Sequence, residues 1–343
     1  MAHISFQPKD YFNMLTYDGN GSTNARTGLG FEPDFIWIKN HTNDHDHYLF
    51  DQVRGTTKYI RSNVGNAEGT ASGVTSFDSD GFTLGSSDGM NENGRNFLSF
   101  NWRASGTQGS SNTDGSINTT YTSVNTNTNI SICKWTGSGA NATIGHGLGV
   151  TPHTYWVKNL DTSDSWNVYH HGVGNTHRLF LDTDGGDNND DTAFNDTSPT
   201  SSVFSVGTNT GTNKSSSNMI AYVFANKKGF SKFGDFTGNG NTDGAFVYTG
   251  FKPAFVMLKC SSHASSNWGM HNTTIDVDNP IQKGLIANTA AAQDTHDFMD
   301  ICSNGFKLRS SSNNRNGDGR KYLYWAWAKE PMVASNNDVS TAY

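Results

Sequence analysis

The sequence contains little glutamate and carries no familiar catalytic motif. Its 343 residues include four glutamates: Glu32, Glu68, Glu92 and Glu330. Paired carboxylates for glycoside hydrolysis leave no local signature, but a chain so poor in glutamate offers few candidates. No GxSxG, Walker loop, HExxH or dinucleotide-binding glycine motif occurs. We therefore expect no enzyme, and keep a carbohydrate-active enzyme or a carbohydrate-binding module as the last alternative.

Basic runs and long apolar runs are also missing. The 24 Lys and Arg are scattered among 31 Asp and Glu, with a net charge of −7, which argues against a nucleic-acid partner. No apolar stretch of about 18 residues occurs. The start of the chain has no basic region followed by an apolar core. We expect a soluble protein without membrane insertion or secretion signal, made in a cytoplasm.

Cysteine is rare and unpaired in pattern. Cys133, Cys260 and Cys302 are an odd number and form no CxxC pair, and the first two lie inside apolar runs. This favours buried free thiols over disulfides or a metal centre. No cofactor is expected, apart from the calcium considered below.

Glycine and aromatic residues are abundant instead. The chain has 37 glycines and 12% aromatic residues but only 16% charged residues, which is typical of a turn-rich β-protein and not of a disordered chain. Helical propensity appears only at 288–294, NTAAAQD, where one or two turns are predicted.

One motif occurs three times. GFEPDFIWIKN at 30–40 returns as GVTPHTYWVKN at 149–159 and as GFKPAFVMLKC at 250–260. An aromatic residue and a glycine-rich turn precede each copy, and each segment closes with alternating bulky residues. The spacing is that of small domains. The repeats predict three tandem, related antiparallel β-sandwich domains.

The boundaries follow from composition. We assign residues 1–105 to unit 1, 114–227 to unit 2 and 228–343 to unit 3. The Gly/Ser-rich stretch 106–113 is predicted to be a linker. The segment that connects units 2 and 3, residues 226–230, is very short, so we expect these two units to pack rigidly together.

The repeated motif also predicts a register. Pro33, Pro152 and Pro253 should begin their strands or lie at an edge, because proline cannot donate to a central ladder. The lysine six residues after each proline should then lie at equivalent strand ends: Lys39, Lys158 and Lys259. The alternating aromatic residues are predicted to be core: Trp37, Phe100, Trp102, Trp156, Trp325 and Trp327.

Three features are candidates for binding. Trp166 and Trp268, aligned with Tyr48, are loop aromatics that would suit stacking on a sugar. The acidic loop 181–191 predicts weak calcium binding at Asp182, Asp184 and Asp187, although it lacks EF-hand spacing. The segment HTNDHDH at 41–47 suggests a metal site, but a solvated loop is the simpler interpretation.

The residues around the second copy resemble a known class of repeat domain. Gly115–Ile117, Gly145–Gly149, Lys158–Asn159 and Trp166–His171, together with DSDGFTLG in unit 1, resemble repeats in structural proteins of marine tailed bacteriophages. The resemblance implies jelly-roll or lectin-like sandwiches on a virion surface and supplies no catalytic residues. Unit 3 departs from the pattern at Met257 and Cys260.

The resemblance leaves two functions open. A short tail fibre or adhesin would bind a host surface glycan or protein, and a capsid decoration protein would stabilise the head. Either would be assembled in the host cytoplasm, placed on the virion exterior and bound to other virion proteins, as a homo-oligomer or in many copies. The chain lacks heptads and a long shaft, but the family context favours the tail.

Overall fold

The chain is an all-β protein, as the sequence predicts. The computed structural model describes residues 6–330, so the outermost parts of predicted units 1 and 3 (residues 1–5 and 331–343) lie outside the described residues. All strand pairs between named strands are antiparallel. Helix in the described part consists of a 3₁₀ turn and three single turns: Pro8–Asp10, α1 (Asp88–Asn91), α2 (Asp191–Phe194) and α3 (Thr210–Asn213).

The strands of the three units are as follows. Unit 1 contains β1 (Phe12–Asp18), β2 (Asn24–Thr27), β3 (Phe35–Asn40), β4 (His47–Asp51), β5 (Lys58–Tyr59), β6 (Gly69–Thr70), β7 (Val74–Asp78), β8 (Gly81–Leu84) and β9 (Asn96–Trp102). Unit 2 contains β10 (Tyr121–Asn125), β11 (Ile130–Thr136), β12 (Ala142–Gly145), β13 (Thr154–Asn159), β14 (Asn167–His170), β15 (His177–Phe180), β16 (Asn188–Asn189), β17 (Val203–Val206) and β18 (Asn218–Phe224). Unit 3 contains β19 (Ser231–Thr237), β20 (Phe246–Tyr248), β21 (Phe255–Cys260), β22 (Gly269–Asn272), β23 (Ile281–Ile286), β24 (Asp294–Cys302), β25 (Gly305–Leu308) and β26 (Lys321–Trp327).

The same strand order recurs in all three units. Unit 1 has the sheet β1-β9-β3-β4, unit 2 contains β11-β18-β13-β14, and unit 3 contains β19-β26-β21-β22. The strand that carries the repeated motif therefore pairs with the closing strand of its unit each time. A second group of strands accompanies each sheet: β2-β8-β7, β12-β17 and β24-β25-β20.

The prolines and lysines occupy the predicted places. Each proline lies two residues before its strand, so none interrupts a ladder, and each lysine is the penultimate residue of that strand. The three lysines are fully buried. Their ammonium groups donate to backbone carbonyls, for example Lys158 to Asp164 at 2.8 Å and to Gly65 of unit 1 at 3.0 Å.

The recurring glycine-rich turns are held by a buried asparagine. Asn91, Asn213 and Asn316 each accept a backbone N–H of the turn of their own unit, at 3.0 to 3.1 Å. The turn passes very close to the backbone beyond that asparagine, since a Cβ added at Gly137 would lie 2.2 Å from the Lys214 carbonyl oxygen. Only glycine permits this approach. The repeated glycines are therefore structural.

One hydrophobic cluster joins all three units. It contains the six predicted core aromatics, all fully buried, with side chains from every unit. Trp37 meets Trp156 of unit 2 edge to face with ring centroids 5.9 Å apart, and Phe255 stacks on Trp327 at 5.4 Å. Each unit also has a smaller cluster of its own. The main sheet of each unit therefore packs one face on the cluster of its own unit and the opposite face on the cluster shared by all three units.

A cyclic set of hydrogen bonds links the units around this centre. The residue opposite each motif lysine on the neighbouring strand donates a hydrogen bond to a backbone carbonyl of another unit. Trp166 Nε1 donates to the Arg61 carbonyl at 2.7 Å, Trp268 Nε1 to that of Phe180 at 2.9 Å, and His47 Nε2 to that of Ile286 at 3.0 Å. Unit 2 thus contacts unit 1, unit 3 contacts unit 2, and unit 1 contacts unit 3. The three units form a closed ring.

Two sequence expectations concern short segments. The predicted helix at 288–294 is wrong: the segment is a turn that enters β24. Contacts with unit 1 fix it, because the Ala290 carbonyl accepts from Lys39 and the Ala292 N–H donates to Asp44. The stretch 106–113 is also held by hydrogen bonds. The Gly106 N–H donates to the Asp34 carboxylate at 3.0 Å, and Ser110 forms an isolated β-bridge with Thr122.

The remaining expectations concern thiols and membranes. Cys133 and Cys260 are buried free thiols, while Cys302 is half-buried and also free. Burial raises the pKa of the Cys133 thiol to about 12. Within residues 6–330, no helix has the length and apolar character needed to cross a membrane.

Candidate binding cavity in unit 3

The residue after each motif proline occupies one equivalent place in the three units. Asp34, His153 and Ala254 each donate their backbone N–H to the last residue of the closing strand, at 2.8 to 2.9 Å. Their carbonyls accept from Gln52, His171 and Thr273, which follow the neighbouring strand. These six positions can therefore be compared directly.

In unit 1 this place is filled. Asp34 accepts from the backbone N–H groups of Ala104 and Gly106, so it holds the segment that leads into unit 2. Burial raises the pKa of its carboxyl to about 6. Gln52 closes the outer side by donating to Glu32 at 2.8 Å.

In unit 2 histidines fill it. The His153 ring accepts from the backbone N–H of Asn226 at 3.2 Å, which holds the segment leading into unit 3. Burial, together with the nearby His171, lowers the pKa of His153 to about 4, so the ring is neutral near pH 7. The two imidazoles lie edge to face with centroids 5.0 Å apart.

In unit 3, among the residues that the structure describes (up to Glu330), the same place is open. Ala254 has no polar side chain, and the neighbouring positions carry Lys252 and Thr273. A cavity of about 270 Å³ lies there. It is lined by Lys252, Pro253, Ala254, Thr273, Val277, Asp278, Asn279, Ile281, Ile301, Lys329 and Glu330. Its volume is close to the lower limit of small-molecule sites, roughly 300 Å³.

The wall of the cavity is an ordered loop. Asn279 pairs with the backbone of Ile301 through both ends of its amide, at 2.8 and 2.9 Å. Asp276 accepts the backbone N–H groups of Gln282 and Lys283. Between these anchors Val277 stands 75% exposed at the rim. The anchors fix the loop while leaving an apolar side chain open to solvent.

The floor of the cavity is apolar and its rim is charged. Ile281 belongs to the buried cluster of unit 3, and Ile301 lies beside it. Neither Lys252 nor Lys329 forms an ion pair with any residue of 6–330. The arrangement suits a small ligand with one apolar face and polar substituents.

The whole of this architecture falls within one family. The family described as "Domain of unknown function (DUF7483)" matches residues 7–331. The chain belongs to this family. The DUF7483 match includes all three units and every residue that lines the cavity. Among the curated proteins none matches the chain.

The two tryptophans predicted to face a ligand lie in the core of the DUF7483 domain. Trp166 and Trp268 are fully buried in the central cluster, and their indole N–H groups are used between units. Register corrects the alignment as well: their equivalent in unit 1 is His47, opposite Lys39, and not Tyr48. Burial leaves neither ring open to a surface ligand.

The three aspartates predicted to bind calcium lie at a contact between units. Asp182 accepts from the backbone N–H of Trp166 at 3.2 Å, and burial raises the pKa of its carboxyl. Asp184 and Asp187 use backbone groups to meet Ser266 and Ser261 of unit 3. Calcium binding at this loop stays a prediction, which a higher unfolding midpoint in millimolar calcium would support.

The histidines of HTNDHDH point to different partners. His41 meets Gln293 at 3.0 Å, His45 meets Glu92 at 3.1 Å, and His47 is buried between Trp37 and Ile286. In the described part of the chain, no group of three or more His, Cys, Asp or Glu side chains has an arrangement that could hold a metal ion.

The cavity was not predicted from the sequence. A signal existed, because the residues around the three prolines differ in kind: Glu-Pro-Asp, Thr-Pro-His and Lys-Pro-Ala. Alanine at the third copy marks the place where the side chain that closes the other two is missing. Without the hydrogen bonds of Asp34 and His153, however, nothing in the sequence indicates that this side chain fills a space.

Proposed function

We propose that the protein is a non-enzymatic structural component of a bacteriophage virion exterior, most simply a short tail fibre, appendage or adhesin that binds the host surface. It consists of three related β-sandwich units of jelly-roll or lectin-like type. It is assembled in the host cytoplasm, bound to other virion proteins and present in several copies. It contacts neither nucleic acid nor the membrane interior.

One observation carries the proposal. The three units share one strand order, yet the place closed by Gln52 and Glu32 in unit 1 and by His153 and His171 in unit 2 is an open cavity in unit 3. A rigid repeated body with one unit left open is what attachment through a single unit requires. The shared core supports this, since it holds unit 3 in fixed relation to the rest.

Immunogold labelling of intact particles with an antibody to this protein tests the location. Label on the tail supports the adhesin or fibre, whereas absence from purified particles rejects a virion role. The attachment step is tested by binding of the purified full chain to host cells. The double variant Lys252→Glu and Ala254→Asp gives unit 3 the residues that unit 1 has at these positions, Glu32 and Asp34. It should lose most of its binding to host cells.

The matched control is Lys283→Glu, which changes the same charge on an exposed residue outside the cavity lining. It should bind like the wild type. Thermal unfolding shows whether each variant is folded. A folded double variant that binds host cells as well as the control does contradicts attachment through the cavity.

A capsid decoration protein is the second candidate, and the closed ring of units favours it. Three similar units joined by cyclic contacts give one chain an approximate threefold arrangement. Such a body suits a threefold position on a head lattice. Gold label over the head, together with earlier heat release of the genome from particles that lack the protein, would support decoration over attachment.

A further inference from the structure

A second cavity lies at the boundary between units 1 and 2. Its volume is about 370 Å³. Tyr11 and Arg103 of unit 1 form one wall, and residues 124–127 of unit 2, at the end of β10 and in the turn that follows, form the other. The volume falls within the range of small-molecule sites, roughly 300 to 1,000 Å³.

The fold does not require an arginine in this cavity. In each unit the residue after the closing strand donates its backbone N–H to the residue before β1, β11 or β19, at 2.7 to 3.0 Å. These equivalent residues are Arg103, Ala225 and Ala328. Both alanines are buried. An arginine at a position that accepts alanine in the other two units favours a role outside folding.

The guanidinium group of Arg103 is uncompensated. It forms no ion pair and donates no side-chain hydrogen bond to any residue of 6–330. Its central carbon lies 5.9 Å from the centroid of the Tyr11 ring. Phe6 stacks on the same ring with a centroid distance of 5.0 Å and an interplanar angle of 10°. The fixed Tyr11 ring thus supports the flat guanidinium group.

The opposite wall is polar and ordered. The Asn125 amide donates to the Ala104 carbonyl at 3.0 Å and accepts the backbone N–H of Asn127 at 2.9 Å. The side chains of Thr126 and Asn127 are exposed and offer neutral donors. Among the residues of 6–330 that line the cavity there is no Asp or Glu. A permanent positive charge with N–H groups to spare therefore lines a concave site without a counter-charge.

We propose that this cavity binds a small organic anion through its carboxylate or phosphate group. The planar guanidinium group of Arg103 donates two parallel hydrogen bonds to two oxygens of that group. Thr126 and Asn127 serve the polar remainder of the ligand. A neutral ligand would displace water from the guanidinium group without supplying a charge, so it binds more weakly. The site goes beyond the proposed attachment function and does not depend on it.

The test uses the full chain and three probes that share one carbon skeleton and differ in charge: glycerol, glycerate and glycerol phosphate. Nuclear magnetic resonance follows the Nε–H signal of Arg103 and the backbone amide signals of residues 125–127. We expect saturable shifts with one or both anionic probes at millimolar concentration, weaker as salt rises, and none with glycerol. The anionic probe that saturates first shows whether carboxylate or phosphate is preferred.

Arg103→Ala gives unit 1 the residue that units 2 and 3 have at this position, so the variant should fold, which thermal unfolding checks. By the amide signals of residues 125–127, it should bind the preferred anionic probe at least tenfold more weakly, about the loss of one charge-assisted hydrogen bond. Arg103→Lys keeps the charge without the fork of donors. Its affinity should lie between those of the wild type and Arg103→Ala.

Arg320→Ala is the matched control. Like Arg103, Arg320 is half-buried and forms no ion pair with residues 6–330, but it lies outside the cavity lining. The control should bind like the wild type. Equal binding by Arg103→Ala and the wild type, equal shifts with glycerol and its anionic counterparts, or no saturable shift with either anion would overturn the proposal. Gold labelling of particles is independent of these results, so failure of the virion function is recognised separately.

Discussion

The Tyr222 hydroxyl of unit 2 donates a 2.6 Å hydrogen bond to the Asp51 carboxylate of unit 1. Arg54 donates to the same oxygen at 2.5 Å, and neither Arg54 nor Asp51 is exposed. At the next boundary the equivalent positions hold Trp325 and His170, whose rings meet at 4.7 Å. These two boundaries thus share one geometry with different chemistry.

We expect Arg54→Met to lower the free energy of unfolding by about 3 to 5 kcal/mol, because it leaves the Asp51 charge buried without its partner. Tyr222→Phe should cost less, about 1.5 to 3 kcal/mol, since Arg54 remains. Urea unfolding measures both. Lys58→Met removes a partly exposed ion pair with Glu68 and should cost under about 1 kcal/mol. If Arg54→Met also costs under about 1 kcal/mol, the boundary cluster is not important for stability.

The glycine-rich turns make a second prediction. In Gly137→Ala the new Cβ would lie 2.2 Å from the Lys214 carbonyl oxygen, and backbone must move to relieve the clash. We expect a loss of about 3 kcal/mol in the free energy of unfolding. Gly185→Ala is the control, because its Cβ would meet only Thr183, at 3.5 Å. Equal midpoints in thermal unfolding would contradict the steric role of Gly137.

Much of the fold was predictable from the repeat. Alternation in the apolar runs indicates strands, and three copies of one motif indicate three similar sheets, so the places of Pro152 and Lys158 followed directly. The shared core was not predictable. A strand such as Thr154–Asn159 is buried on both faces, and sequence does not distinguish whether the second face meets its own unit or another.

The binding surfaces were the hardest part to predict. Trp166 and Trp268 have the composition of a sugar site, but their burial depends on contacts with Arg61 and Phe180, more than 80 residues away. Phe246 looks like any apolar strand residue. Its exposure depends on which face of β20 is covered, since the next residue, Val247, is buried on the other face.

Buried histidine predicts acid sensitivity. Burial lowers the pKa of His146 to about 4 from its usual 6.5. The unfolded chain therefore binds the proton more readily, and stability falls as pH decreases from about 6.5 to about 4. One histidine contributes a slope of about 1.4 kcal/mol per pH unit in the middle of that range. His146→Gln should reduce the slope by this amount in urea titrations at several pH values.

His263→Gln is the matched control, since His263 is exposed. Its pH dependence should equal that of the wild type. Unchanged acid sensitivity in His146→Gln would mean that this ring is not neutral in the folded protein.

The buried lysines predict a rise of stability in mild alkali. Burial lowers the pKa of Lys158 to about 8 from 10.5, and Lys39 and Lys259 behave alike. Between pH 8 and 10 the unfolded chain keeps protons that the folded chain has released, so the free energy of unfolding increases with pH. Each lysine adds a slope of about 1.4 kcal/mol per pH unit.

Lys158→Met tests the contribution of Lys158 through the pH slope of the unfolding free energy, so the absolute stability of the variant does not matter. Methionine leaves the carbonyls of Gly65 and Asp164 without their donor, which alters stability at every pH, but the slope depends only on protons bound. Between pH 8 and 10, we expect the slope of the unfolding free energy against pH to fall by the contribution of one lysine, about 1.4 kcal/mol per pH unit. Lys9→Met, at an exposed residue, should leave it unchanged. A full slope in Lys158→Met would show that Lys158 keeps its proton in the folded state up to its ordinary pKa, and that its carbonyl partners hold a permanent buried charge.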